Sequence, residues 1–169
     1  MKCFRVFILT ILVVSVFSSC RKEDDLPAPV YSPEIEAAQI HEWLESMKTN
    51  KVNVDTLANG VYLIVDTPGT GVNVKTGNSV TVKYTGYLLN GYIFDSSLLH
   101  GDGTMTYIHK NADPKMRLIP GWELGIEHLN KGSKALIFIS SDLAYGADGN
   151  GGVPPYTPLI FVIEVVDIK

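Results

Sequence analysis

The run Val80-Thr81-Val82-Lys83-Tyr84-Thr85-Gly86-Tyr87-Leu88-Leu89-Asn90-Gly91-Tyr92-Ile93-Phe94-Asp95-Ser96-Ser97 decides the fold. Val80, Val82 and Tyr84 share one side while Thr81, Lys83 and Thr85 take the other, which is the period of a half-buried strand. Asn90-Gly91 then predicts a tight hairpin with a type I′ turn, because both residues tolerate positive φ. Upstream, Val61, Leu63 and Val65 alternate before Pro68-Gly69-Thr70-Gly71 turns the chain. Downstream, Met105, Tyr107 and His109 alternate again, and Pro120 can open a short helix carrying Trp122, Ile126 and Leu129. Residues 135–140 and 159–166 are apolar and rich in β-formers. Many short strands around one brief helix predict an α+β domain, an antiparallel sheet wrapped on a helix, over residues 60–169. A hydrophobic content of 46% is enough to fill one such core.

Before this domain, Ser32-Pro33-Glu34 is a helix-start signature: N-cap serine, proline at the first helical position, an acid in the first turn. Ile40, Trp43, Leu44 and Met47 follow at helical spacing, which predicts an N-terminal helix over Pro33–Lys48 with one apolar stripe. Packing is the first use of such a stripe and self-association the second. Residues 49–59 are polar and read as the connection that completes a 33–59 segment.

The first residues have the form of a leader. Lys2 and Arg5 precede an apolar run from Val6 to Phe17, too short to span a bilayer, which needs about 20 apolar residues. Small residues and a cysteine follow. Phe17-Ser18-Ser19-Cys20 resembles a bacterial lipobox, which implies cleavage after residue 19 and a lipid on Cys20. The lipid would anchor the chain to a membrane without a span. Cys3 leaves with the leader, so Cys20 has no disulfide partner. The charged run Arg21-Lys22-Glu23-Asp24-Asp25 and Leu26-Pro27-Ala28-Pro29 read as a stiff, solvated tether over residues 20–32. The acidic run also resembles an outer-surface address of some Gram-negative lipoproteins; a plain spacer is the other reading. The expected location is the bacterial cell envelope, on the outer membrane, facing the periplasm or the surface. Loss of residues 1–19 takes Lys2 and Arg5 and no acid, moving the formal charge from −4 to −6. That excludes nucleic acid as a partner.

Side chains for covalent chemistry are missing. His41, His100, His109 and His128 have no metal-ligand spacing and no accompanying cysteines. Asp148-Gly149-Asn150-Gly151-Gly152 lacks the ligand series of a calcium loop. No P-loop, dinucleotide fingerprint or nucleophile elbow is present. No metal or cofactor is expected. What remains is a binding module, or an enzyme that makes and breaks no covalent bond.

Four ordered blocks then carry a family resemblance. Val82-Lys83-Tyr84-Thr85-Gly86-Tyr87-Leu88 with Asn90-Gly91 and Phe94-Asp95-Ser96-Ser97 is the first, and Ile119-Pro120-Gly121-Trp122-Glu123-Leu124-Gly125 the second. Ala144-Tyr145-Gly146 with Val153-Pro154-Pro155, and the closing Leu159-Ile160-Phe161-Val162-Ile163-Glu164-Val165, complete them. Together they resemble the FKBP-type peptidyl-prolyl cis–trans isomerases over about residues 66–169. The resemblance implies a pocket of Tyr84, Phe94, Asp95, Ile119, Trp122, Tyr145 and Phe161, with Leu118, Met105 and Val153 at its rim. It also implies proline-containing polypeptides as clients, catalysis of X-Pro rotation without a cofactor, and a macrolide as a further ligand. Trp122 would be the floor under the proline ring, with Phe94, Phe161 and Tyr84 as walls. The Ile119 N–H and Tyr145 hydroxyl would donate to substrate carbonyls, and Asp95 would orient Tyr84. A non-catalytic chaperone that uses the same pocket is the alternative. The sequence departs from the family at Met105, often aromatic there, at the loop Leu98-Leu99-His100-Gly101-Asp102, often basic, and at Asn150 and Gly152. These departures bear on substrate preference and macrolide affinity.

Overall fold

A computed structural model describes residues 30–58, 60–99 and 101–169. The expected leader, Cys20, most of the tether and His100 lie outside the described residues. Ser32 caps the first helix as expected: its Oγ accepts the Ile35 N–H at 3.3 Å, and Pro33 begins α1 (Pro33–Thr49). The sheet starts earlier than the hydropathy suggested. β1 (Asp55–Ala58) lies in the segment read as a connection and pairs with β2 (Val61–Thr67). It is a four-residue edge strand with Asp55 and Thr56 exposed, so it carries no alternation to detect.

The remaining strands are β3 (Thr70–Asn73), β4 (Ser79–Leu88), β5 (Ile93–Ser96), β6 (Met105–Ile108), β7 (Asn130–Lys131), β8 (Lys134–Ile139) and β9 (Leu159–Ile168). The main sheet runs β1-β2-β8-β9-β4-β5, with β6 sharing the outer edge of β4, and every pairing is antiparallel. β3 and β7 form a separate two-stranded ribbon. The β4–β5 hairpin is where expected but its turn is different. The Gly91 N–H closes on the Leu88 carbonyl at 2.9 Å, and only Gly91, at φ 84°, is left-handed. Asn90 stays at negative φ and its side chain accepts the Tyr92 N–H, so a single glycine does what a type I′ turn asks of two residues.

The inner face of the sheet is the core. Val80, Val82, Tyr84 and Leu88 of β4 face it beside Leu159, Phe161, Ile163 and Val165 of β9 and Ile137 and Ile139 of β8. α2 (Pro120–Ile126) lies on this face and buries Trp122 and Ile126. Gly121 and Gly125 make that approach possible: a Cβ on Gly121 would overlap Ile139 Cγ2, and one on Gly125 would stand 2.5 Å from Ile137 Cδ1. Leu129, expected on this helix, lies just past its end yet is 1% exposed.

The outer face is covered at one end. Phe138 alternates with Ile137 and Ile139 and so points away from the core, but it is 0% exposed. The cover is α1, whose Trp43 stacks on Phe138 with centroids 4.4 Å apart, and Tyr62 closes the cluster edge-on. Trp43, the aromatic member of the expected apolar stripe, is therefore used against its own domain.

Candidate active site: an aromatic slot

The slot forms where β4, β9, β5, β6 and the start of α2 converge on the inner face. Strand alternation turns Tyr84 and Phe161 inward from β4 and β9. The Tyr84 backbone is held by the two buried serines that end β5: Ser97 Oγ accepts its N–H at 3.0 Å, and Ser96 Oγ donates to its carbonyl at 3.1 Å. Gly86 then leaves room that a side chain would fill, since a Cβ there would lie 2.6 Å from the Phe94 ring and 3.0 Å from that of Phe161.

Trp122, 3% exposed, forms the base. Phe161 meets it edge-to-face at 5.0 Å and 89°, and Tyr84 does so at 5.2 Å and 81°. Both are favourable arrangements of ring quadrupoles. The indole N–H donates to the Tyr107 hydroxyl at 2.9 Å, fixing the tilt of the base from below. Met105, Leu118, Ile119, Tyr145 and Asp95 complete a slot of about 80 Å³ with Tyr84, Trp122 and Phe161. That is well under the roughly 300–1,000 Å³ of drug-sized pockets, and suits one small ring rather than a cofactor.

Asp95 accepts the Tyr84 hydroxyl at 2.7 Å through Oδ2, and the Ser96 N–H at 2.8 Å through Oδ1. Ile119 sits at the N-cap of α2, its carbonyl taken by the Glu123 N–H at 3.2 Å. The Ile119 N–H and the Tyr145 hydroxyl donate to no group among the described residues, so the slot offers two donors to a bound peptide. Among the described residues no His, Cys, Asp and Glu cluster could hold a metal ion.

Most of the expected site residues come together here. Two do not line the slot. Phe94 stands behind Phe161, edge-on at 5.5 Å, and supports that wall without forming it. Val153, expected at the rim, is 4% exposed and belongs to the core, drawn in by its bridge to Asn150. Tyr107 is the member that sequence reasoning missed. Period-two alternation from Met105 put it on the same side, and a tyrosine there carries a hydroxyl that a buried indole needs.

Burial, then the hydrogen bond and charge of Asp95, raise the Tyr84 phenol above its ordinary range. Burial does the same for Tyr107, opposed by the Trp122 hydrogen bond and helped by the Glu123 charge. Both stay neutral in the fold where an unfolded tyrosine ionises, near pH ~10. The stability they contribute is full below that pH and is lost above it. The melting temperature should accordingly show no tyrosine-dependent change through neutrality and should fall above about pH 10, less steeply in Tyr84→Phe. An equal fall in the variant would show that Tyr84 is not held neutral.

Fold and slot together set a ring-sized, aromatic-walled space with two unused donors on the inner face of the sheet. A family profile for the FKBP-type peptidyl-prolyl cis–trans isomerases matches residues 71–166. The chain is 34% identical over 118 residues to a probable FKBP-type isomerase of Haemophilus influenzae, covering 69% of this chain and 46% of that protein. It is 34% identical over 116 residues to FkpA of Escherichia coli, covering 69% of this chain and 40% of FkpA. The crystal structure of FkpA from Escherichia coli superposes with a TM-score of 0.69 and 31% identity, over 81% of this chain and 61% of the crystallised chain. A peptidyl-prolyl cis–trans isomerase from Pseudomonas syringae superposes at 0.68, with 29% identity, over 84% of this chain and 99% of that one. The chain spans less than half the length of these two curated relatives. It belongs to the FKBP-type peptidyl-prolyl cis–trans isomerase family.

Proposed function

We propose that this chain is a peptidyl-prolyl cis–trans isomerase acting on X-Pro bonds of exported or envelope proteins. The observation that carries the reading is the slot itself: three edge-to-face rings, a tyrosine held neutral against Asp95, and two unused donors around a ring-sized space. Rotation about the amide C–N bond is opposed by ~18–20 kcal/mol of resonance. X-Pro bonds populate both isomers, so the barrier limits how quickly clients fold. At the top of the barrier resonance is lost, and the carbonyl is less dipolar than in the planar amide. An apolar slot favours that less polar state, and binding that is stronger there than in the ground state is what accelerates a reaction. Lowering the barrier by ~7 kcal/mol would accelerate rotation ~10⁵-fold.

In this reading Trp122 lies under the proline ring, with Tyr84 and Phe161 as walls, Phe94 as support, and Met105 and Leu118 at the rim. The Ile119 N–H and Tyr145 hydroxyl hold the substrate carbonyls. Asp95 orients Tyr84 through their hydrogen bond. A macrolide of the kind the family binds would compete for the same slot. Cys20 carries the lipid that keeps the protein in the bacterial envelope, at the outer membrane; among the described residues no helix is long and apolar enough to cross a membrane.

The test is cis–trans exchange of a proline peptide followed by NMR with the full-length chain in detergent. The wild type should accelerate exchange and Asp95→Ala should do so roughly tenfold less, the scale of losing the charge-assisted hydrogen bond that orients Tyr84. No acceleration by the wild type, with clients still protected from aggregation, would move the reading to a non-catalytic chaperone. In cells, Cys20→Ser should shift the protein from the membrane to the soluble fraction. A variant that stayed with the membrane would remove the lipid anchor.

A further inference from the structure

One carboxylate far from the slot is buried without a cation. Glu36, in the first turns of α1, is 6% exposed, although glutamates are almost never fully buried unless paired. Both of its oxygens are taken by a single residue 105 positions away. Oε1 accepts the Ser141 N–H and Oε2 the Ser141 hydroxyl, each at 2.5 Å. No ion pair reaches Glu36 among the described residues. Its charge is therefore balanced by two short, charge-assisted hydrogen bonds at the start of the 3₁₀ turn Ser141–Leu143.

The far side of Ser141 leads to the slot. Its carbonyl accepts the N–H groups of Ala144 and Gly146, both at 2.8 Å. These are the two neighbours of Tyr145. Ala144 is held at φ −128°, ψ −107°, outside both the helical and the strand regions. Gly146 is left-handed at φ 58°, and its carbonyl is tied to the Tyr156 N–H at 2.9 Å. Tyr145 thus hangs between two amides that share one carbonyl, and the residue owning that carbonyl is clamped by α1.

We infer that Glu36 is a positioning residue for Tyr145, so that the N-terminal helix is a working part of the isomerase site. Adhesion of α1 does not need this carboxylate, because Trp43 on Phe138 already covers the sheet. A buried charge is a costly way to add adhesion, and removing its partners is strongly destabilising. What Glu36 adds is direction. It fixes the 3₁₀ turn at its first residue and, through Ser141, the backbone on both sides of the Tyr145 ring. Without it the Ser141 N–H and hydroxyl turn to water, the 3₁₀ turn loses its fixed point, and the Tyr145 hydroxyl spreads over positions that miss the substrate carbonyl.

The inference rests on the slot reading proposed above, and its test separates the two. Full-length wild type, Glu36→Ala, Glu36→Gln, Tyr145→Phe and the Glu36→Ala/Tyr145→Phe pair are compared in detergent by peptide exchange and by amide hydrogen exchange. Glu36→Ala should lower kcat/KM roughly tenfold, mostly through kcat, the scale on which small misplacements act. Glu36→Gln keeps an oxygen for the Ser141 N–H and should recover most of that loss. In the Tyr145→Phe background Glu36→Ala should have almost no further effect, since the hydroxyl it positions is gone. The Ala144 and Gly146 amides should exchange faster in Glu36→Ala while those of β8 and β9 keep their protection. Losses that multiply in the pair, or unchanged protection at Ala144 and Gly146, would overturn the positioning role. Should Glu36→Ala not fold, Ser141→Ala, which removes only the hydroxyl arm, is read by the same two measurements. A wild type that fails to accelerate exchange defeats the slot reading alone, and the amide protection still decides whether Glu36 holds the Tyr145 backbone.

Discussion

Replacing Trp122 with Ala should remove the largest single share of the rate acceleration. The indole is the largest side chain lining the slot, and a ring of this size contributes ~3 kcal/mol when buried against a partner. Losing that contact at the transition state lowers kcat/KM about 10²-fold. The same substitution opens a hole beside Phe161 and Tyr84, so the fold should lose roughly 3–5 kcal/mol as well. Rates must therefore be compared below the melting transition of the variant. Trp122→Leu keeps more of the volume and should melt closer to wild type while staying nearly as slow. Tyr107→Phe is the finer probe. It leaves the indole in place but strands a buried N–H, at a cost of about 1–3 kcal/mol. A Trp122→Leu enzyme with wild-type kcat/KM would mean that the slot floor is packing and nothing more.

Gly125→Ala should destabilise the protein, against the usual sign for glycine in a helix. On an exposed helix the change gains up to ~1 kcal/mol of propensity. Here the new methyl would meet Ile137 Cδ1 at 2.5 Å and Cγ2 at 2.8 Å. Ile137 is β-branched, 0% exposed and held in the middle of β8, so it has little room to turn aside. Overpacking of this kind costs ~1–3 kcal/mol, which outweighs the propensity gain. The melting temperature should fall by several degrees. Activity should fall with it, because pushing α2 off the sheet moves Trp122, three residues upstream, out of the slot. Shortening the obstacle with Ile137→Val should restore part of both. Equal or higher stability in Gly125→Ala would mean that α2 does not rest on β8 as described.

These two residues also show what the sequence could and could not convey. Trp122 and the two glycines lie within one short motif. The strand alternation around Tyr84 was legible for a similar reason, since it acts at a fixed period, whereas the hold of Ser96 and Ser97 on the Tyr84 backbone spans 12 and 13 residues and was not. The hairpin between β4 and β5 was legible as a hairpin but not as a turn type, since Asn90 can accept a hydrogen bond at negative φ as readily as it can go left-handed. β1 was hidden because four residues that begin with exposed Asp55 and Thr56 are too few to set an apolar period, although Leu57 packs against the core. Phe94 and Val153 were placed by analogy at the slot, whereas tertiary packing sets one behind Phe161 and the other in the core. Glu36 gave no signal of its own, being one of two acids in the first turn of α1. Its partner lies 105 residues on, and a contact of that range leaves no local pattern.

The docking of α1 also sets a length. Seventeen residues of helix could have served as a stalk of about 25 Å at 1.5 Å per residue. Folded back along the sheet, they add nothing to the reach of the domain. With the lipid on Cys20 proposed above, covalent geometry bounds the distance from anchor to helix by residues 21–32, at most about 40 Å. The slot would be confined to a shallow shell over the bilayer. Chains emerging at that surface would meet it at high local concentration, and chains already released would have to return to it.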